Sequence, residues 1–430
     1  MTAEIVIMNK SAIALAADSA VTIGEKKIYN TVNKLFALSK YHPVGIMVYG
    51  SAEFMEVPWE TIIKVFRNEL GKQRFNRLED YSDKFINFLN RKNPLFSEDV
   101  QRKSFELLIR GYFFRIKGDV DKEVKLITDT KGIVKNSDVS KITSDVILRH
   151  WEMWKKFDDL KSTSSFQAGR TVRKYNKLVN EARSKILQKL PISKKSMLRL
   201  FRLCEFLLYK DNFSSRSSGV VIAGFGEEEI FPKTVKLELE NKIDGRVKYS
   251  MQTKEITVSN SASIMPFAQR EMVDLFMSGI DPSFDMVIDG YLKEIFERFP
   301  MNVADSLVQL NESEKAQLTE NLKKVGKALL DRFNDMMNTY KRNNHVSPIL
   351  DSVAALPKDE LAAMAEALVN LTSFKRRVTM SAETVGGPID VAVISKGDGL
   401  IWIKRKHYFK PELNPQFFEN YFKVSGEGGR

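Results

Sequence analysis

The chain reads as an α+β protein in which short β-rich runs open and close the sequence and two long helical tracts interrupt it. Three observations predict this. EIVIM, AIALAAD, KLFALS and VGIMVYG follow one another up to Gly50, each bounded by turn residues. Apolar residues at three- and four-residue spacing fill about 96 to 213 and again about 281 to 346. Near the end, PIDVAVIS and GLIWIKRK flank KGDG, a strong hairpin signal.

Taken in order, the four opening strands lead to expected helices at about 53 to 70 and 77 to 92. The first helical tract contains ELLIRGYFFRI, SDVILRHWEMWKKF, TVRKYNKLVNEARSKILQKL and SMLRLFRLCEFLLY, all with helical periodicity. Strands resume at GVVIAGFG (219 to 226), TVKLELEN and RVKYSMQ, with AGFGEEE at 223 to 229 as a hairpin turn. NSAS at 260 to 263 reads as a loop before a helix at about 266 to 279. The second tract includes SFDMVIDGYLKEIFERF, whose Met and aromatic residues are assigned to core packing, and a long charged helix from SEKAQL to YKRNN. A helix at 358 to 376 precedes the closing hairpin, and the Lys-rich IKRKHYFK suits a strand edge, where charge discourages pairing with another chain.

Composition narrows the function classes. At 430 residues with 43% hydrophobic and 28% charged residues, the chain has ordinary globular values and enough length for a large core. A single cysteine, Cys204, excludes an internal disulfide, and its place in MLRLFRLCEFLLY predicts a buried, inert thiol. His42, His150, His345 and His407 are scattered without metal-ligand spacing, so neither a metal nor a cofactor is expected. No phosphate-binding glycine loop and no G-x-S-x-G elbow occurs. The absence of a basic-plus-apolar leader and of any membrane-length apolar run leads to the expectation of a cytoplasmic protein with no membrane partner.

The net charge of +12 is concentrated in stretches such as RTVRKYNKLVNEARSK and ISKKSMLRLFR. We read these as the solvated edge of amphipathic helices in preference to a nucleic-acid contact, because no nucleic-acid motif accompanies them. Docking of an acidic protein partner is a third use for the same charge.

The candidate chemistry lies at the start. Thr2 follows Met1, Asp18 stands sixteen positions later and Lys34 sixteen beyond that. Removal of Met1 leaves a hydroxyl and a free α-amino group on one residue, the pairing used by N-terminal threonine nucleophiles. An α-amine with an unperturbed pKa of roughly 7.7–8.0 can take the hydroxyl proton near neutral pH. A lysine ammonium beside it disfavours the protonated amine, and an aspartate holds that lysine in place. The alternative is that Thr2 merely begins a strand, Asp18 ends a turn and Lys34 is a solvated charge.

TAEIVIMNKSAIALAADSAVTIGEKKIYNTVNKLFALSKYHPVGIMVYGSAEF resembles the start of bacterial proteasome β-subunits, members of the N-terminal nucleophile (Ntn) hydrolases. The resemblance implies a four-layer αββα sandwich carrying two large helical insertions, and a catalytic set of Thr2, Asp18 in AADSAVT and Lys34 in NKLFALS. It further implies that the N–H of Gly50 in MVYGSAEF serves the oxyanion hole, with Ser261 and Ser263 of NSAS supporting the nucleophile. An Asp and a Ser usually stand just ahead of the closing Gly-Gly in the family. Here the segment is SAETV, so Glu383 or Thr384 can stand in only when shifted by one place. On this reading the core is 1–95, 215–280 and 347–409, with insertions at 96–214 and 281–346 and a tail at 410–430.

The function so implied is a threonine-type amidohydrolase that cleaves peptides or unfolded protein, built as a homo-oligomer; this chain carries no nucleotide motif, so any ATP dependence would come from another polypeptide, for which a separate unfoldase is one candidate. The alternatives are a catalytically inactive scaffold subunit and a small-molecule amidase. Intact-mass analysis of protein from its native host is expected to find Met1 removed; a chain that retains Met1 has no free Thr2 amine.

Overall fold

In this computed structural model, residues 3–23, 27–29, 32–163, 167–379 and 385–422 are described. The chain opens with strands β1 (Ala3–Asn9), β2 (Ile13–Ala17), β3 (Val21–Ile23), β4 (Lys27–Tyr29), β5 (Leu35–Ala37), β6 (Val44–Gly50), β7 (Glu53–Phe54) and β8 (Val57–Pro58). Helices α1 (Trp59–Leu70), α2 (Leu78–Asn90), α3 (Glu98–Lys131), α4 (Asn136–Lys155), α5 (Ala168–Lys174), α6 (Asn176–Ile186) and α7 (Lys194–Tyr209) follow. Then come β9 (Ser218–Gly224), β10 (Lys233–Ile243), β11 (Arg246–Glu255) and β12 (Ala262–Ala268). Helices α8 (Glu271–Ser278), α9 (Pro282–Ser306), α10 (Glu312–Lys341), α11 (Ser347–Ala355) and α12 (Lys358–Val378) precede β13 (Asp390–Ser395), β14 (Gly399–Lys404) and α13 (Pro415–Phe422).

The result is a mixed α/β protein with two five-stranded sheets, antiparallel wherever a register is defined, in the orders β12-β1-β2-β13-β14 and β11-β10-β9-β6-β5. The chain divides into two compact units. One comprises Met1–Leu35, Ile230–Pro232 and Glu255–Arg430; the other comprises Phe36–Glu229 and Lys233–Lys254.

In the first unit, α12 lies on the sheet through Leu361, Ala362, Ala365, Leu368 and Val369, a stripe at helical spacing. It meets Ala3, Ile5 and Ile7 of β1, Ala14 and Ala16 of β2, and Val391 and Val393 of β13. The alanines of β2 let the helix backbone approach closely, so AIALAA is a packing choice as well as a strand. The far end of β1 is locked by buried Asn9. Its Nδ2 donates to the carbonyls of Val353 (3.1 Å) and Leu356 (2.9 Å), and its Oδ1 accepts from the Ser11 and Ala12 amides.

In the second unit, α1 and α2 cover the sheet with Trp59, Phe66, Tyr81 and Phe85, and Phe66 meets Phe85 edge to face at 5.1 Å. Helices α3 to α7 build a separate apolar cluster around Phe113, Ile147 and Cys204. Burial drives the Cys204 thiol well above its usual range, so it stays protonated and unreactive. Along α5 and α6 the Tyr175, Leu178, Val179 and Ile186 side chains point into that cluster while Arg173, Lys177 and Lys185 remain outside.

Several expectations need correction. The helix expected from 53 begins at Trp59, because residues 53 to 58 form the small β7–β8 hairpin. The helix expected from 266 begins at Glu271, and NSAS leads into strand β12, which places Ser263 in a sheet. Pro266 obscured that strand; β12 is an edge, where a missing N–H is tolerated. Phe284, Met286, Val287, Tyr291 and Phe299, assigned to a core, are exposed on α9. The four-layer arrangement implied by the resemblance remains finer than the mixed α/β architecture described here.

Asn9→Ala is expected to destabilise the protein by about 1–3 kcal/mol, since it strands buried amides and carbonyls at both ends of the contact. The urea midpoint measures it.

Candidate active site

Asp18 directly follows β2 and is fully buried. The antiparallel register puts Ala17 opposite Glu4, so residue 18 falls beside Ala3. The backbone closes the pair: Asp18 N–H donates to the Ala3 carbonyl (3.1 Å), and Ala3 N–H donates to Asp18 Oδ1 (3.1 Å). Lys34 Nζ, also buried, donates to the same oxygen at 2.5 Å. Oδ2 accepts from Ala20 N–H (3.2 Å) and Gly386 N–H (3.1 Å). Four donors therefore satisfy the carboxylate, which is what a charge removed from water requires.

The Gly-Gly segment is fastened to this turn from both sides. Ser19 N–H donates to the Gly386 carbonyl at 3.1 Å, and Ser19 Oγ donates to the Pro388 carbonyl. Val32 N–H donates to the Ser19 carbonyl (3.2 Å), which anchors the approach to Lys34.

A second buried carboxylate stands next in the sheet. Asp390, opposite Ala17, accepts from Lys406 Nζ (2.5 Å), from the Lys406 amide (2.9 Å) and from Arg405 at 3.5 Å. Arg405 donates to the Leu35 carbonyl at 2.7 Å and lies over the Trp402 ring, so it fixes the backbone that carries Lys34. Burial lowers the Lys406 ammonium below the usual lysine range; Asp390 opposes this, and the positive charge of Lys34 adds to it.

Beyond the Ala3–Ala268 pair, Ala268 takes a left-handed φ of 61°. Buried Gln269 then accepts from Arg376, which also donates to Glu271 at 3.3 Å.

Asp18 and Lys34 are thus brought together. Thr2 and Glu383 lie outside the described residues. Ser263 stands opposite Met8, and Ser261 lies further along, so both are at the Asn9 end of β1. From Ala3 to Met8 is roughly 17 Å at about 3.4 Å per residue, which separates the two serines from Asp18. Gly50 belongs to the other unit and ends β6 with a φ of 80°; a Cβ there would lie 3.0 Å from the Ser217 carbonyl, so the position demands glycine. Sequence reasoning missed the Gly386 amide, the Asp390 cluster and Gln269. An aspartate inside otherwise apolar PIDVAVIS, matched to a basic IKRK strand end, was the available signal for the second of these.

Among the described residues no group of His, Cys, Asp and Glu suits a metal ion, and no helix is long and apolar enough to cross a membrane.

No protein-family model matches the chain, and no curated protein does. Solved structures that align with it include Anbu (ancestral beta-subunit) from Yersinia bercovieri, at 8% identity and a TM-score of 0.32 over 99% of this chain and 100% of that one. A helical assembly of the Anbu complex from Pseudomonas aeruginosa aligns at 8% identity and 0.33, over 97% and 93% of the two chains. An Anbu mutant from Hyphomicrobium sp. strain MC1 aligns at 8% and 0.28 over the whole of both. These findings correct the resemblance to bacterial proteasome β-subunits: no model of that family matches, and the aligned structures carry a different family name. At that identity and those TM-scores, the likeness transfers neither fold nor activity to this chain.

Asp18→Asn leaves the Lys34 ammonium buried without a counter-charge and is expected to cost about 3–5 kcal/mol. Adding Lys34→Met should recover part of that loss. A double-mutant cycle on urea midpoints measures both.

Proposed function

We propose that Thr2, freed by removal of Met1, is an N-terminal nucleophile that cleaves amide bonds, with peptides as the substrate class. One observation carries the reading. Asp18 Oδ1 accepts both the Lys34 ammonium and the Ala3 N–H, and the Ala3 nitrogen is the atom bonded to the Thr2 carbonyl. The lysine is therefore held one hydrogen-bond shell from the peptide bond of the proposed nucleophile. An ammonium has three donors, and among the described residues one of them is given to Asp18.

In the proposed reaction the Thr2 α-amine takes the hydroxyl proton while Oγ forms a bond to the substrate carbonyl carbon. The tetrahedral oxyanion collapses, the C–N bond breaks, and the proton passes from the α-amine to the leaving amine. Water then hydrolyses the acyl-enzyme by the same route in reverse. A cation at Lys34 favours the unprotonated amine by like-charge repulsion, and Asp18 holds the Lys34 side chain in position. Ser261 and Ser263 have no part in this scheme, because the β1–β12 register sets them at the other end of the strand.

Thr2→Ala is expected to lower kcat/KM on fluorogenic peptides on the order of a thousand-fold or more, and to abolish labelling by a β-lactone. Wild-type rates in that variant would end the proposal. Lys34→Ala removes the repulsion that disfavours the protonated amine, so the ascending limb of the pH–rate profile is expected to move to higher pH. A limb that stays in place would show that Lys34 does not act on the amine.

A further inference from the structure

Helices α9 and α10 of the first unit form an antiparallel hairpin. Lys341 Nζ donates to Asp285 at 2.6 Å, and Phe296 lies so close over Gly326 that a Cβ there would meet its ring at 3.0 Å. Pro300 and Ala304 of α9 and Leu330 of α10 are buried, so the hairpin has a packed face of its own. A second apolar set lies off that face. On α9 it is Phe284, Ile288, Tyr291, Ile295 and Phe299, and on α10 it runs from Leu318 and Leu322 through Val325 and Leu329 to Met336 and Tyr340. Both sets keep the three- and four-residue spacing of a coiled-coil seam. We infer that the two seams together are an interface with a second copy of this chain, closed as a four-helix bundle. The inference rests on no part of the amidase reading, and the hairpin lies outside the stretches that carry the family resemblance.

Helical geometry puts the two seams on one side of the hairpin. At about 100° per residue, the α9 seam trails the Phe296–Ala304 face by about 140°, and the α10 seam trails the Gly326–Leu330 face by about 90°. The same rotational sense on two antiparallel helices that face each other gives the same side. Phe284, Tyr291 and Phe299 of α9 and Val325, Leu329, Met336 and Tyr340 of α10 are each between 51% and 65% exposed. With about 150–250 Å² for a whole large side chain, they present roughly 900 Å². The largest apolar patch of a typical monomer is about 300–600 Å², whereas a standard interface takes about 800 Å² from each partner. The seams therefore match what a stable dimer needs.

Charge favours a second copy over a lipid surface. On the seam side the charged residues are Arg298 and Asp305 of α9 and Glu314 and Arg332 of α10, one of each sign per helix. Over its whole length α9 holds five acidic and two basic residues, and α10 holds five acidic and six basic. A two-fold axis along the hairpin lays α9 over the partner's α10, so the acidic helix meets the more basic one in both halves of an isologous contact. A helix that lies on a membrane carries lysine and arginine along its polar face, whereas α9 is acidic.

The test is the mass of the full chain in solution by light scattering and sedimentation equilibrium. Wild type is expected to assemble in an even copy number. Tyr291→Glu combined with Leu329→Glu should halve that mass and weaken association about a hundred-fold or more, because each carboxylate would be buried unpaired in the contact. Val325→Lys with Met336→Lys is an independent second variant with the same expected outcome, and thermal melting confirms that each folds. Leu329→Met, and Lys327→Glu on the opposite side of α10, should stay within about twofold of wild type. A wild-type chain that is monomeric at about 100 μM, or a folded double variant with undiminished mass, would overturn the inference. So would a monomeric wild type that sediments with phosphatidylcholine–phosphatidylglycerol vesicles and loses this in the double variants, since the seams would then serve a lipid surface.

Discussion

The Asp18 carboxylate is the contact on which the first unit is organised. It is fully buried, and a buried charge must be paired and hydrogen-bonded or it costs several kcal/mol. Asp18 meets that requirement with Ala3, Ala20, Lys34 and Gly386, which come from the first strand, the following turn, the approach to β5 and the segment before β13. Only the folded sheet supplies all four donors at once. The same constraint that stabilises the sheet end therefore brings Lys34 and the Ala3 amide to one carboxylate oxygen.

Asp390 repeats the device one strand over. It collects Lys406 and Arg405, and Arg405 in turn holds the Leu35 carbonyl next to Lys34. Two buried acids and three basic side chains share this end of the sheet, so each cation influences its neighbours; the lowering of Lys406 by burial and by Lys34 is one expression of that coupling. Such a network is rigid because every group depends on the others for its counter-charge. At the opposite end Asn9 performs a neutral version of the same task.

Local patterns made much of the chain readable. AIALAAD and VGIMVYG are strands because apolar, turn-bounded runs have few other uses, and KGDG joins β13 to β14 as its turn chemistry requires. The helices of the first tract were legible from periodicity, since their apolar faces are buried together. Periodicity failed on α9, where an apolar stripe at helical spacing predicts a buried face but cannot say whether this chain provides the cover. It failed again at β12, where Pro266 reads as a strand breaker unless the strand is known to be an edge.

Within the candidate site, the Asp18–Lys34 pairing was legible only through the resemblance of AADSAVT and NKLFALS to a known motif set and through the need of an N-terminal amine for a neighbouring cation. Ser261 and Ser263 were misplaced because a loop and an edge strand look alike in NSAS, whereas register is decided by pairing with β1. The sequence by itself determined the opening strands, the closing hairpin and the helical tracts, since these depend on side-chain type and short-range spacing. Tertiary structure alone decided that the Gly386 amide, 368 positions away, completes the shell of Asp18. It also alone decided that Asp390 neighbours that shell and that the two serines lie at the far end of β1. The physical reason is that sheet register brings together residues with no local relation, and a buried charge is satisfied by whichever donors that register delivers.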